Sequence, residues 1–278
     1  MRIGLTIFAT DRTIDLATLA REAEARGFAS LYVPEHTHIP VSRRTPPPTG
    51  DAELADEYRR TLDPFVALAA AAAVTSKIRL GTAIALVAQR DPILLAKEVA
   101  TLDLVSQGRA VLGVGYGWNV EEMESHGVAY ASRRRLVREK MLAVEALWTQ
   151  DVAAYDGELV RIAPSWQWPK PVQRPRPPVL IGGGPGPKLF ADVAEWADGW
   201  MPIGGKGLGE ALPQLRAAMQ KRGRDPRALE VVALGVVPTR GKLDHYASIG
   251  VTEVALRLPA ASAAEVLREL DAHAAFLS

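Results

Sequence analysis

Eight times along the chain a short β-branched or aliphatic run gives way to a segment able to form a helix, and this alternation constrains the fold more than any other feature. The strand candidates begin near Ile3, Ser30, Ile78, Ala110, Val179, Gly199, Glu230 and Val251. Such alternation is the pattern of repeated βαβ units around a parallel sheet, and eight units favour closure into a barrel. The expected fold class is therefore α/β, a (β/α)8 TIM barrel. Barrels of this type run to about 250 residues as one domain, so the 278 residues are expected to form a single domain over 1–278. No low-complexity linker divides the chain.

The helix boundaries carry their own chemistry. Asp63-Pro64 and Asp91-Pro92 each offer an N-cap followed by proline at the first helical position, where the missing N–H costs nothing. Gly27 and Gly108 stand where a left-handed residue is wanted after a helix. Residues 132–149 place Leu136, Met141, Leu142, Val144, Leu147 and Trp148 on a long helix. Its basic first turn, Arg133 to Arg135, opposes the helix dipole and is expected to find local partners or to face solvent.

Two stretches interrupt the repeat and read as insertions after strand 2 and before strand 5. Residues 39–62 contain Arg43, Arg44, Pro46, Pro47, Pro48 and Gly50, which cannot continue a helix and predict a mobile loop on the catalytic face. Residues 151–178 contain Tyr155-Asp156-Gly157 as a turn between short strands, followed by a proline-rich approach to strand five, and predict a hairpin.

Composition narrows the function. A net charge of +1 provides no field for nucleic acid or an anionic membrane, so a small-molecule partner is expected. The absence of cysteine excludes disulfides, thiolate metal sites, iron–sulfur clusters and a cysteine nucleophile. The opening MRIGLTIF reads as a buried strand rather than a signal peptide, and no apolar run approaches the roughly 20 residues that span a bilayer. A cytoplasmic location is expected.

In such barrels the active site is built at the C-terminal ends of the strands. Those ends read Tyr32 to His38, Gly81 to Leu86, Gly113 to Asn119 and Gly182 to Pro187. Glycines at strand-to-helix turns let backbone N–H groups approach a phosphate, which makes Gly182, Gly183 and Gly184 the first phosphate candidates; a tight turn is the simpler alternative for either glycine run. A dinucleotide fingerprint fails on spacing, because Pro187 and Val120 occupy the places of its third small residue. His36 and His38 resemble the paired histidines of amidohydrolase barrels, but no further histidine lies between His126 and His245, so no metal site is expected. His36 beside Glu35 is the candidate acid–base pair, with His38 as a substrate contact. No Gly-x-Ser-x-Gly elbow is present. Trp166 and Trp168 are expected to pack the hairpin onto the barrel, and Arg257, inward-pointing near the mouth, to contact an anionic substrate group.

Together these residues resemble the luciferase-like monooxygenase family, within it the branch of F420-dependent oxidoreductases. The resemblance rests on PEH at 34–36, KIRLGTAI at 77–84, DPILLAKEVATLDLVSQGR at 91–109, LGVGYGWNVEE at 112–122, PKPVQRPRPPVLIGG at 169–183 and ADGWMPI at 197–203. It implies a deazaflavin or flavin ring held at the strand ends, with its phosphate near the glycines after strand five. It further implies a bulge with a non-proline cis peptide at Ala83 and Ile84, following Thr82, that supports the ring. His36 would lie near the reactive ring edge, Glu35 beside the cofactor, and Gly115, Tyr116, Gly117 and Trp118 along the ring and ribityl chain. Thr37-His38 and Tyr116 depart from the branch.

The resemblance favours hydride transfer between F420 and a small organic substrate by a homodimer. An FMN-dependent monooxygenase and a non-catalytic ligand-binding relative are the alternatives. A basic path from the mouth would favour the anionic tail of F420, and Arg43, Arg44, Arg59 and Arg60 form either such a path or a solvated loop face.

Overall fold

A computed structural model of the chain describes residues 1–46 and 53–277. Pro47, Pro48 and Gly50 of the expected loop lie outside the described residues.

Eight parallel strands close the barrel in the order β1 (Arg2–Thr6), β2 (Ser30–Val33), β3 (Arg79–Thr82), β4 (Ala110–Val114), β7 (Val179–Gly182), β8 (Gly199–Met201), β9 (Glu230–Val236) and β10 (Glu253–Arg257). The last strand returns to the first with Arg2 opposite Glu253 and Thr6 opposite Arg257. Between β4 and β7 the chain leaves the barrel as an antiparallel hairpin, β5 (Ala153–Asp156) and β6 (Arg161–Ser165), as the sequence predicts. The final strand starts two residues later than Val251, whose N–H is held by the Tyr246 carbonyl at the end of the preceding helix.

The helices are α1 (Leu16–Arg26), α2 (Pro64–Ala73), α3 (Pro92–Val105), α4 (Val120–Ser125), α5 (Arg133–Thr149), α6 (Pro187–Trp196), α7 (Leu208–Lys221), α8 (Arg240–Ser248) and α9 (Ala263–Ala274). Their ends follow the expected chemistry. Asp63 accepts from the Val66 N–H and Asp91 from those of Ile93 and Leu94, with proline in the first turn of both helices. Gly27 and Gly108 take φ of +90° and +81°. Each arginine of the basic α5 run has a local partner: Arg133 lies over the Tyr130 ring, Arg134 pairs with Asp192 at 2.8 Å, and Arg135 with Glu158 at 2.6 Å.

Strands buried on both faces read as near-continuous apolar runs. Their outer faces pack against the helices in one large core, while Tyr32, Val111, Leu180, Met201, Val232, Leu234 and Ala255 fill the barrel interior. Beneath that layer, at the N-terminal ends of the strands, lies a charged floor. Glu253, fully buried, pairs with Arg2 at 2.7 Å and Arg79 at 3.5 Å and accepts hydrogen bonds from Ser30 and from the Tyr32 hydroxyl. Glu230 pairs with the same arginines at 2.6 and 3.0 Å. Gly4 belongs to this layer, because a Cβ there would meet Ser30 Oγ at 1.8 Å. Two arginines and two glutamates from four strands therefore plug the lower end, and the opposite end is left for chemistry.

Candidate active site

The mouth is organised around the segment that leaves β3. The Ala83–Ile84 peptide is cis, at the residues the resemblance implies. The segment is clamped from both sides: Ala83 N–H donates to Val33 O at 2.7 Å, Ala85 N–H to Gly113 O at 2.8 Å, and Gly115 N–H to Ala85 O at 2.9 Å. The Thr82 hydroxyl donates to Gly113 O at 2.7 Å, which turns its side chain toward β4. Ile84 lies over neighbouring glycines. A Cβ at Gly115 would be 1.6 Å from Ile84 Cδ1, and one at Gly182 would be 2.8 Å from Ile84 Cγ2. Gly115 and Gly182 are thus required for packing of the bulge, a use that the sequence reading, which weighed phosphate against turn geometry, did not foresee.

The open part of the glycine turn after β7 lies one residue further on. Gly183 has φ of +145°, and its carbonyl accepts from Trp200 Nε1 at 2.9 Å. Cβ atoms at Gly184 and Gly186 would meet nothing within 4 Å. Among the described residues, the N–H groups of Gly184 and Gly186 donate to no protein acceptor, and they precede the first turn of α6. Free N–H groups ahead of a helix suit a phosphate.

Glu35 and His36, adjacent in sequence, are engaged differently. Glu35 is 3% exposed; one oxygen accepts the Leu86 N–H at 2.7 Å and the other accepts Arg90 Nε at 2.7 Å. Arg90 continues to Asp63 and Glu98, each at 2.8 Å, and lies over the Phe65 ring. The carboxylate therefore anchors the segment after the bulge. Nearby, Lys140 donates to the carbonyls of Ala88 and Arg90 at 2.7 and 2.6 Å, and burial pushes its ammonium down to about 8.

His36 turns the other way. Its Nδ1 is 2.8 Å from Glu122 Oε2, both side chains are almost inaccessible, and its ring stands 5.8 Å from that of Trp118 and 5.3 Å from that of Tyr58. Thr61 fixes its backbone, accepting from His36 N at 3.2 Å and donating to His36 O at 2.8 Å. Thr61 ends a 3-10 turn, Asp56–Arg60, so the second half of the insertion after β2 is ordered against the mouth.

Other expected site residues are placed elsewhere. Tyr116 belongs to the outer core; its hydroxyl donates to Asp192 and Arg134 lies 4.0 Å over its ring, so its side chain points to the helices rather than along a ring at the mouth. Burial, and then the hydrogen bond to Asp192, push the phenol well above its ordinary range. Gly117, at φ of +80°, packs by Met123. His38 is exposed and shares the Thr37 hydroxyl with His126, at 3.1 and 2.7 Å. Arg257 has the inward parity of Glu253 and Ala255, but its side chain is exposed at the rim and pairs with Glu57 at 3.4 Å. Trp166 and Trp168 are exposed, contrary to expectation; Gln167 between them is the buried residue and donates to Ile93 O.

Three of the four arginines of the expected basic path are ion-paired, whereas Arg43 makes no ion pair among the described residues and its Nη1 has no partner there. Arg60 pairs with Asp11 at 2.9 Å and Asp56 at 2.6 Å, Arg59 pairs with Asp56, and Arg44 pairs with Glu121 at 3.4 Å. The sequence reading also missed Glu122 and Asn119. Both are 1% exposed, and Glu122 Oε1 and both amide atoms of Asn119 have no partner among the described residues. Both lie in the LGVGYGWNVEE segment, Asn119 at the N-cap of α4 and Glu122 in its first turn, directly after the strand-four glycines.

Among the described residues, no group of three or more His, Cys, Asp or Glu gathers where it could hold a metal ion, and no helix is long and apolar enough to cross a membrane.

The profile of the luciferase-like monooxygenase family matches residues 6–243. An uncharacterized protein of Mycobacterium tuberculosis (strain ATCC 25618 / H37Rv) is 49% identical over 281 residues, spanning 100% of this chain and 99% of that protein. Among solved structures, a monooxygenase from Streptomyces bottropensis superposes with a TM-score of 0.80 at 21% identity, covering 100% of this chain and 98% of the other. An F420-dependent secondary alcohol dehydrogenase in complex with an F420–acetone adduct superposes with a TM-score of 0.78 at 17% identity, covering 99% and 97%.

Proposed function

The chain belongs to the luciferase-like monooxygenase family, and from that premise we propose that it transfers hydride between the deazaflavin F420 and a small organic substrate at the barrel mouth. The observation that carries this reading is the segment at Ala83–Ile84, clamped between β2 and β4, with His36 at the same end of the barrel and an open glycine turn nearby. When bound, the cofactor supplies the hydride acceptor or donor. The chain supplies orientation and the proton. Thr82, Ala83 and Ile84 back the ring; Gly115 and Gly182 admit Ile84, and Gly117 and Trp118 continue the same wall. Gly183, Gly184 and the N-terminus of α6 receive the phosphate. His36 exchanges a proton with the substrate, and Glu35 holds the segment after the bulge through Leu86 and Arg90.

The phosphate turn has a direct test. Gly183→Val puts a β-branched residue at a φ of +145° with its Cβ 2.9 Å from Leu189 Cδ1. The turn then shifts, and loss of one or two charge-assisted N–H contacts raises the cofactor Kd by roughly 10- to 100-fold. Equal affinity in the variant and the parent, by equilibrium titration, removes the phosphate from this turn.

A second reading is supported by the paired state of Arg44, Arg59 and Arg60, which leaves Arg43 alone of the expected path as free charge for the anionic tail of F420. It is an FMN-dependent monooxygenase, in which the same pocket holds the shorter flavin.

The protein acts as a cytoplasmic homodimer in this reading. Helix α2 is apolar on every side, the adjoining α3 exposes Ile93, Leu94, Leu104 and Val105, and Val66 and Leu94 remain 73% and 63% exposed. A helix apolar all round belongs in an interior, and a second copy of the same helix pair covers both faces by two-fold symmetry. Leu94→Glu places a charge in that contact and is expected to shift sedimentation from dimer to monomer. A parent protein that sediments as a monomer refutes the interface.

A further inference from the structure

We infer that Glu122 is the positioning residue of His36: it fixes the imidazole as the Nδ1–H tautomer and leaves Nε2 as the proton-accepting atom at the mouth. The inference rests on the reading of His36 as the proton-transfer group and adds the carboxylate that makes it one.

Glu122 is 1% exposed, and its Oε1 has no hydrogen-bond partner among the described residues. Its Oε2 lies 2.8 Å from His36 Nδ1. A buried carboxylate with one bare oxygen is costly unless the other oxygen receives a donor, and His36 is that donor. A neutral ring donating from Nδ1 has its lone pair on Nε2. Among the described residues no hydrogen bond engages Nε2, whereas Trp118 and Tyr58 stand edge-on or tilted beside the ring and block other rotations.

The adjacent carboxylate cannot perform this task. Both oxygens of Glu35 are occupied by Leu86 and Arg90. Glu122 comes from α4, 86 positions away in sequence, so the pair forms only when β2 and β4 deliver their loops to the same rim. The arrangement follows the general logic of a base held by a third group: the carboxylate sets the tautomer and stabilises the imidazolium that forms when Nε2 takes a proton.

Tautomer state is read directly from imidazole ¹⁵N shifts, without cofactor or substrate. The chain has five histidines, so a ¹⁵N-histidine sample of the whole protein gives a countable spectrum, with His36 assigned by its loss in His36→Gln. Above the titration range of the ring, the parent protein is expected to show His36 with the proton on Nδ1. Glu122→Leu is expected to move the population toward Nε2–H, while Glu122→Gln, whose amide oxygen still accepts, retains the Nδ1–H form. A parent ring protonated on Nε2, or a tautomer unchanged in Glu122→Leu, overturns the inference. Cofactor titration of the parent protein reports separately on the oxidoreductase reading, so the two fail independently.

Discussion

Glu253→Ala lowers thermal stability by roughly 3 kcal/mol, the lower end of the usual cost of removing one partner from a buried ion pair. The side chain is fully buried, and four groups depend on it: Arg2, Arg79, the Ser30 hydroxyl and the Tyr32 phenol. Glu230 continues to pair with both arginines, and Arg2 is 44% exposed, so solvent and the second carboxylate limit the loss. Ser30 and Tyr32 have no comparable substitute. At about 2 to 4 °C per kcal/mol for a chain of this size, Tm by circular dichroism should fall by ~6 to 12 °C. Cofactor affinity measured well below the transition should not change, because the floor lies at the end of the barrel opposite the mouth. A change in Tm under ~2 °C, or a matching loss of cofactor affinity, contradicts the separation of a stabilising floor from a chemical rim.

The complementary result is expected of His36→Ala. Removing a positioned general acid or base typically costs about 10²- to 10⁴-fold, and a decrease in turnover of at least ~10² is expected, with cofactor affinity within about threefold of the parent. The ring touches Trp118 and Tyr58 at the wall of the mouth, yet the other groups proposed to hold the cofactor, Ile84 and the turn at Gly183, do not depend on it, so only the Trp118 part of the wall is loosened. The variant leaves the Glu122 carboxylate without its donor, so it is compared at a temperature where its circular dichroism matches the parent. Turnover equal to the parent rejects His36 as the proton-transfer group. Loss of cofactor binding alone would make it part of the cradle instead.

The fold was legible in the sequence because its determinants are local. Asp63-Pro64 and Asp91-Pro92 state their helix starts within a few residues, Gly27 and Gly108 accept left-handed geometry that other residues resist, and strand alternation needs no distant partner. The hairpin between β4 and β7 announced itself through the same kind of signal, a turn flanked by short strands.

The site was only half legible, because side-chain partners are set by barrel closure. PEH marks His36, but nothing near it in sequence shows that Glu122 rather than Glu35 will meet its ring. The glycines after β4 and β7 looked alike, and their uses diverge: Gly115 and Gly182 make room for Ile84, whereas Gly184 and Gly186 stay open. Tyr116 stands next to Gly115, but two residues beyond the end of β4 its side chain turns outward to Asp192. The floor of Arg2, Arg79, Glu230 and Glu253 comes from four strands whose outermost members are 251 positions apart in sequence, a juxtaposition that composition and periodicity do not encode.

The proposed binding of a deazaflavin at the mouth can be measured by titrating the apo protein with F420 and with FMN side by side, using quenching of its tryptophans, among them Trp118 at the mouth. Tight, saturable quenching by F420 and much weaker binding of FMN are expected. The reverse order would contradict the proposal in favour of the flavin monooxygenase, and binding of neither would contradict the oxidoreductase assignment itself.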